Sequence, residues 1–269
     1  MNCKNCQAEL HSEHKYCDQC GAMVINERIS IKSLISGLLI SLGWDNQFFV
    51  TFRDLVLKPQ SVFEKYLNGT RKRYTNPFTF FAIGTALSVF ILSFYSDELI
   101  NISTKASFKS SETLIDIYKK EGYSSEKSNK KADFIEKKQI LVKKIFIFMY
   151  KYYYYLSFLL LPFYALIALL VYGKPDNYGE HLVINAYIHG LLFIFGLLLF
   201  FLTLQLGHGV YSNGTLLLTL IYYLYAYKKY RKQTIGKTIL MLLKFLAIIL
   251  VFLFLIFMIR YLIGILIAR

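Results

Sequence analysis

The apolar residues of this chain follow two patterns, and the change between them falls near residue 76. Beyond it, hydrophobic stretches of at least ~18 residues with few charges recur, longer than ordinary buried helices and long enough to cross a bilayer. They predict five spanning helices at approximately 77–95, 154–172, 184–206, 210–227 and 240–262. Before residue 76 the pattern is periodic. Ile31, Leu34, Ile35, Leu38, Leu39 and Leu42 keep helical spacing over a segment too short to span. Phe48, Phe49, Phe52, Leu55 and Val56 then line one side of a helix, with Arg53, Asp54 and Lys58 elsewhere. Pro59 forces a break before Val62, Phe63, Tyr66 and Leu67. With Trp44 and the basic run Arg71 to Arg73, residues 29–76 read as amphipathic helices resting at the membrane interface. Packing against the spanning bundle, or against a second subunit, fits the same stripe equally well. The expected fold is all-α, a polytopic helical membrane bundle over 77–269.

Polar positions add detail to this outline. Residues 96–144 are rich in Lys, Ser and Glu, with weak apolar repeats such as Leu114, Ile117 and Tyr118, and predict a partly helical solvated insert. Tyr152 to Tyr155 form a candidate aromatic belt, and Pro162 is placed to kink the second span. Glu180, His181, Asn185 and His189 lead into the third span, and spacing of four puts His181, Asn185 and His189 on one helix face. Ionisable groups are costly in lipid, so that face should turn toward the bundle or a water-filled crevice. It could form a metal or proton site or a polar substrate pocket; interhelical hydrogen bonding explains the same residues and is the simpler reading. His208 lies at the opposite end, and Lys244 and Arg260 can snorkel from the last span.

Composition supports a membrane protein. The hydrophobic fraction is 55%, the aromatic fraction 17% and the mean hydropathy +0.42, well above soluble averages. The net charge of +14 raises nucleic acid as a partner, but the basic residues cluster beside the apolar runs, as Arg71 to Arg73 and as Lys228, Lys229, Arg231 and Lys232. That is the pattern of topology signals and headgroup contact, so the bilayer and not nucleic acid is the expected partner. No basic and apolar leader with a cleavage site is read at the start of the sequence, so the N-terminus is expected to stay in the cytoplasm. Residues 71–73 and 228–237 then both fall inside and the C-terminus outside. Lys137, Lys138, Lys143 and Lys144 conflict with this scheme, because it puts their segment outside.

The most specific motif lies in residues 1–25, where Cys3-Lys-Asn-Cys6 and Cys17-Asp-Gln-Cys20 are separated by ten residues. A two-residue spacing turns both sulfurs of a pair toward one point, so two such knuckles can offer four thiolates to one tetrahedral Zn2+. Disulfides would need an oxidising compartment, and a redox CxxC would need a βαβ context that the flanks do not offer. His11 and His14 lie between the knuckles and are expected to be loop residues. So short a segment cannot bury enough apolar surface to fold alone, which gives the metal a structural role.

The segment from Thr51 to Pro59 (TFRDLVLKP), followed by Val62 to Pro77 (VFEKYLNGTRKRYTNP), resembles uncharacterised bacterial zinc-ribbon multi-pass membrane proteins, common in Bacteroidetes and catalogued as a domain of unknown function. Arg53, Asp54, Pro59, Tyr66, Gly69, Arg71 and Pro77 carry the resemblance. Members often have Pro-Gly where this chain has Pro59-Gln60, and often show a Glu-His-Leu like that at Glu180. The cysteine segment separately resembles the short zinc ribbons at the head of many bacterial membrane proteins, which read CxxCG twice where this chain has Gln7 after the first knuckle. The resemblance implies a zinc ribbon before several spans in a bacterial inner membrane, and supplies no reaction.

No GxxxxGK, GxSxG or HExxH occurs, so the common ATPase and hydrolase signatures are missing and no catalytic residue is assigned. Three functions are therefore carried forward. The first is a scaffold or sensor whose ribbon recruits a cytoplasmic protein, with self-association left open. The second is a small transporter using the His181, Asn185 and His189 face, and the third a membrane enzyme resting on those residues and Glu180.

Overall fold

A computed structural model describes residues 2–10, 15–24, 30–31, 46–95, 100, 126–206 and 209–267 of the chain. It divides into two units, Met1–Leu42 and Gly43–Arg269.

The first unit holds two knuckles built alike. The Cys3 amide donates to the Ala8 carbonyl and the Gln7 amide to the Cys3 carbonyl, both at 2.8 Å, and Cys17, Ala22 and Gly21 repeat the pair of bonds at 2.8 Å. An antiparallel bridge closes each knuckle, Asn2 with Glu9 and Tyr16 with Met23. Each turn needs a left-handed residue, which Gly21 supplies at φ 69° and Gln7 at φ 62°. The missing first glycine is thus replaced by a residue held in a conformation that favours glycine. Cys3, Leu10 and Cys17 are buried against Ala8, Ala22 and Val24 in a very small core. His11, His14, Trp44 and the stripe from Leu34 to Leu42 lie outside the described residues; Ile31 is exposed.

The second unit is helical: α1 Asn46–Leu57, α2 Pro59–Leu67, a 3-10 turn Arg71–Arg73, α3 Pro77–Ser93, α4 Glu126–Lys151, α5 Tyr153–Tyr172, α6 Tyr178–Leu206, α7 Gly209–Tyr230 and α8 Ile235–Ile267. Local chemistry sets the boundaries. Pro59 opens α2, where its missing N–H costs nothing. Asn76 caps α3 by accepting from the Phe78 amide at 3.0 Å, with Pro77 in the first turn. Asn177 and Glu180 cap α6 reciprocally: the Glu180 carboxylate accepts from the Asn177 amide at 2.7 Å, and the Asn177 side chain from the Glu180 amide at 3.0 Å. α5 runs on through Pro162, whose carbonyl accepts from the Tyr178 hydroxyl at 3.2 Å.

Among the described residues, four helical segments are long and apolar enough to cross a membrane: Arg71–Ser93, Tyr155–Tyr172, Tyr178–Gln205 and Ile235–Met258. The fifth expected span, 210–227, lies in α7 but is not among them. Tyrosines, threonines and an asparagine occupy positions there that leucine and isoleucine fill elsewhere.

α6 is the centre of the unit and packs on α3, α5 and α7. It meets α3 through glycines, because a Cβ on Gly84 would stand 2.5 Å from the Gly190 carbonyl oxygen, and one on Gly190 would stand 2.7 Å from the Phe80 ring. Only hydrogen at both positions permits that approach. α1 and α2 pack on α6 and α7, where Leu55, Val62 and Phe63 share a core with Tyr187, Ile188 and Ala226. Tyrosines of α7 complete the junction by donating to carbonyls at the open end of α1: Tyr222 to Leu55 at 2.9 Å and Tyr225 to Leu57 at 3.0 Å. α8 touches α5 and α7, and apolar side chains such as Leu243, Leu250 and Phe254 on it stay exposed.

Candidate functional site

The first unit brings all four predicted ligands together. The sulfur atoms of Cys3, Cys6, Cys17 and Cys20 lie within 4.8 Å of one another, with Cys3 to Cys20 at 3.7 Å and Cys6 to Cys17 at 3.6 Å. These separations are too long for disulfides, and the cysteines are free. They suit a tetrahedral metal, since Zn–S bonds of about 2.3 Å place sulfurs ~3.8 Å apart. The backbone is arranged to favour thiolate. The Asn5 side chain and the Ala22 amide pull Cys20 down to about 6, and the Cys6 and Asn5 amides lower Cys3. At Cys6 the Ala8 amide acts the same way, but the neighbouring thiols and burial outweigh it and push that group up to about 12. Four sulfurs this close repel one another as thiolates, and a divalent cation at their centre removes that conflict. Such a set has no open coordination position, which fits structural and not catalytic chemistry.

In the helical unit, His181, Asn185 and His189 lie on one buried face of α6, as their spacing predicts. Their partners are tyrosines of α7. His181 Nδ1 pairs with the Tyr227 hydroxyl at 3.0 Å. The Asn185 amide donates to the His181 carbonyl at 2.7 Å, so its Oδ1 is left to accept, and the Tyr223 hydroxyl donates to it. With its proton committed to Asn185, Tyr223 meets His189 Nε2 at 2.8 Å as an acceptor. In that arrangement the ring proton of His189 sits on Nε2 and Nδ1 keeps a lone pair. Tyr164 of α5 stacks on the His189 ring at 4.1 Å, and Tyr172 on Tyr227 at 3.8 Å.

Glu180 is not part of this seam, because its carboxylate is engaged in the α6 cap. His208 lies outside the described residues. Sequence reasoning missed Tyr164, Tyr172, Tyr223 and Tyr227, although Tyr223 and Tyr227 sit four apart like the α6 residues they face.

Beside the seam, α3, α5, α6, α7 and α8 line a partly open cavity of about 620 Å³ that His189, Tyr164 and Tyr223 border. At one end of the bundle, Arg231 forms a largely buried ion pair with Asp176 at 2.7 Å and donates to the Gly173 carbonyl at 2.8 Å, while the Tyr230 hydroxyl donates to Asp176 at 2.8 Å. Phe63 of α2 packs against Tyr230. Exposed Lys174, Lys228, Lys229 and Lys232, with Arg71 to Arg73 just beyond α2, thus gather toward that end.

Residues 45–89 match a family described as a protein of unknown function (DUF3667). The matched stretch runs from α1 into α3 and contains Arg53, Asp54, Pro59, Tyr66, Gly69, Arg71 and Pro77. Asp54 is fully buried within it, accepting from Arg53 at 2.9 Å and from Tyr74 at 3.3 Å, while Thr51 accepts from the Thr75 amide at 2.9 Å. These bonds dock the turn before α3 onto α1. No curated protein and no solved structure matches the chain.

Proposed function

We propose that the chain is a membrane-anchored scaffold or sensor, in which a cytoplasmic ribbon closed on one Zn2+ binds a partner protein. The observation that carries this reading is the clustering of four cysteine sulfurs within 4.8 Å. Support for a partner surface comes from Tyr16 and Met23, exposed at 59% and 61%. They are bridge partners on neighbouring antiparallel segments, which sets their side chains on the same face. Exposed apolar pairs on so small a module suit protein contact better than solvent.

The bundle anchors this module in a bacterial inner membrane. α7 is its fifth crossing in this reading: it runs beside α6 for 22 residues, about 33 Å of helix, and turns tyrosines into the bundle. Basic residues gathered at one end support a cytoplasmic N-terminus by the positive-inside rule. The test is a detergent pull-down of the full chain against Cys17→Ser/Cys20→Ser and Tyr16→Ser/Met23→Ser. The expected result is one zinc per chain and a retained partner in the wild type. Both double variants should lose the partner, and only the first should lose the zinc. An unchanged set of partners in both would overturn recruitment through the ribbon.

A second reading, a small transporter, draws on the contact of His189 with the cavity. Candidate-solute flux in liposomes should fall when His181, Asn185 and His189 are replaced together by Ala, and unaltered flux would remove this reading.

A further inference from the structure

We propose that the intramembrane cavity is a binding site for an uncharged single-chain lipid whose head is a hydroxyl group, a long-chain or isoprenoid alcohol in chemical class. This goes beyond the ribbon reading and does not depend on it.

Shape comes first. The lining follows α7 from Tyr211 to Leu224, ~20 Å of helix at 1.5 Å per residue, and α6 from His189 to Leu197. A cavity of about 620 Å³ elongated in this way has room for one long hydrocarbon chain. Leucines, isoleucines and aromatic rings from five helices form most of the wall, and Gly196 opens it on α6.

Charge comes second. No Lys, Arg, Asp or Glu lines the cavity among the described residues. An ionised head would enter a low-dielectric space with no counter-ion, a large cost for carboxylate or ammonium alike.

The head group follows from the hydrogen bonds. His189 is 8% exposed and borders the cavity, and its Nδ1 lone pair makes no hydrogen bond among the described residues. The neighbouring Tyr164 hydroxyl makes none either, while the Tyr164 ring is held in place by stacking on His189. One group wants a donor, and the other can give one. A lipid hydroxyl satisfies both, donating to Nδ1 and accepting from Tyr164. A plain alkyl chain satisfies neither, and a carbonyl head leaves Nδ1 unpaired. Tyr223 and Asn185 fix the tautomer that this arrangement needs, so they are positioning residues.

The experiment uses the full chain in nanodiscs with a diazirine-bearing hexadecanol as photolabel, competed by unlabelled hexadecanol, hexadecanoate or hexadecane at neutral pH. Gly196 has open space where a side chain would project, so Gly196→Leu fills the cavity without a clash on the backbone. The expected result is saturable labelling, competed at least tenfold better by hexadecanol than by hexadecanoate or hexadecane. Labelling should be abolished by Gly196→Leu and weakened about tenfold by His189→Phe and severalfold by Tyr164→Phe, as the loss of one buried hydrogen bond implies. Equal competition by hexadecane would show a crevice that takes any bilayer chain and would overturn the proposal. So would preference for hexadecanoate, full labelling of Gly196→Leu, or no saturable labelling.

Discussion

Single residues show where local chemistry departs from the simplest pattern. Gln7 sits at φ 62° where the matching knuckle has Gly21. Gln7→Gly should relieve about 1 kcal/mol of left-handed strain and tighten zinc retention about fivefold in a chelator competition. Glu180 shows how a carboxylate at a membrane edge can be structural. Its bond to the Asn177 amide is available to glutamine as well, so Glu180→Gln should leave thermal stability in detergent nearly unchanged, while Glu180→Ala should cost about 1 kcal/mol. The signal for this is present in the sequence as Asn177-x-x-Glu180 before an apolar run. His181, Asn185 and His189 were legible as a face because spacing of four needs no tertiary knowledge. Their partners were not, since Tyr223 and Tyr227 lie on another helix and a tyrosine in an apolar run is equally at home in a core or an aromatic belt.

Helices meet here by two different devices. α3 and α6 approach through Gly84 and Gly190, so Gly84→Val should clash with backbone that cannot move aside. The expected cost is about 1–3 kcal/mol or more, read as a lower midpoint of cooperative unfolding in detergent. α1 and α7 instead meet through hydroxyl groups. Tyr222→Phe leaves the Leu55 carbonyl without its buried donor, with an expected loss of about 1 kcal/mol, while Tyr225→Phe removes a solvent-exposed bond to Leu57 and should cost less. Hydrogen exchange should then rise in α1 before α6. The same tyrosines explain why α7 has a weaker spanning signal than its neighbours, since each hydroxyl bound inside the bundle is counted as polar when only composition is read. The remaining spans were legible because apolar length depends on bilayer thickness and on little else.

For the molecule as a whole, two units call for different stabilising principles. The bundle is held by side-chain packing and buried hydrogen bonds, and the N-terminal unit has a core of three buried residues among those described. Folding of the N-terminal unit is expected to need a metal on its four cysteines, whereas α3, α5 and α6 are expected not to. The cavity could not be foreseen, because its walls come from five helices whose relative placement no local pattern encodes. The thiolate cluster could be, because two residues between cysteines already fix where their sulfurs point. The direct measurement is X-ray absorption at the zinc edge on the full chain purified without added chelator. One zinc per chain with four sulfur neighbours at about 2.3 Å is the expected result. A zinc-free chain with oxidised cysteines, or a first shell dominated by nitrogen or oxygen, would contradict it.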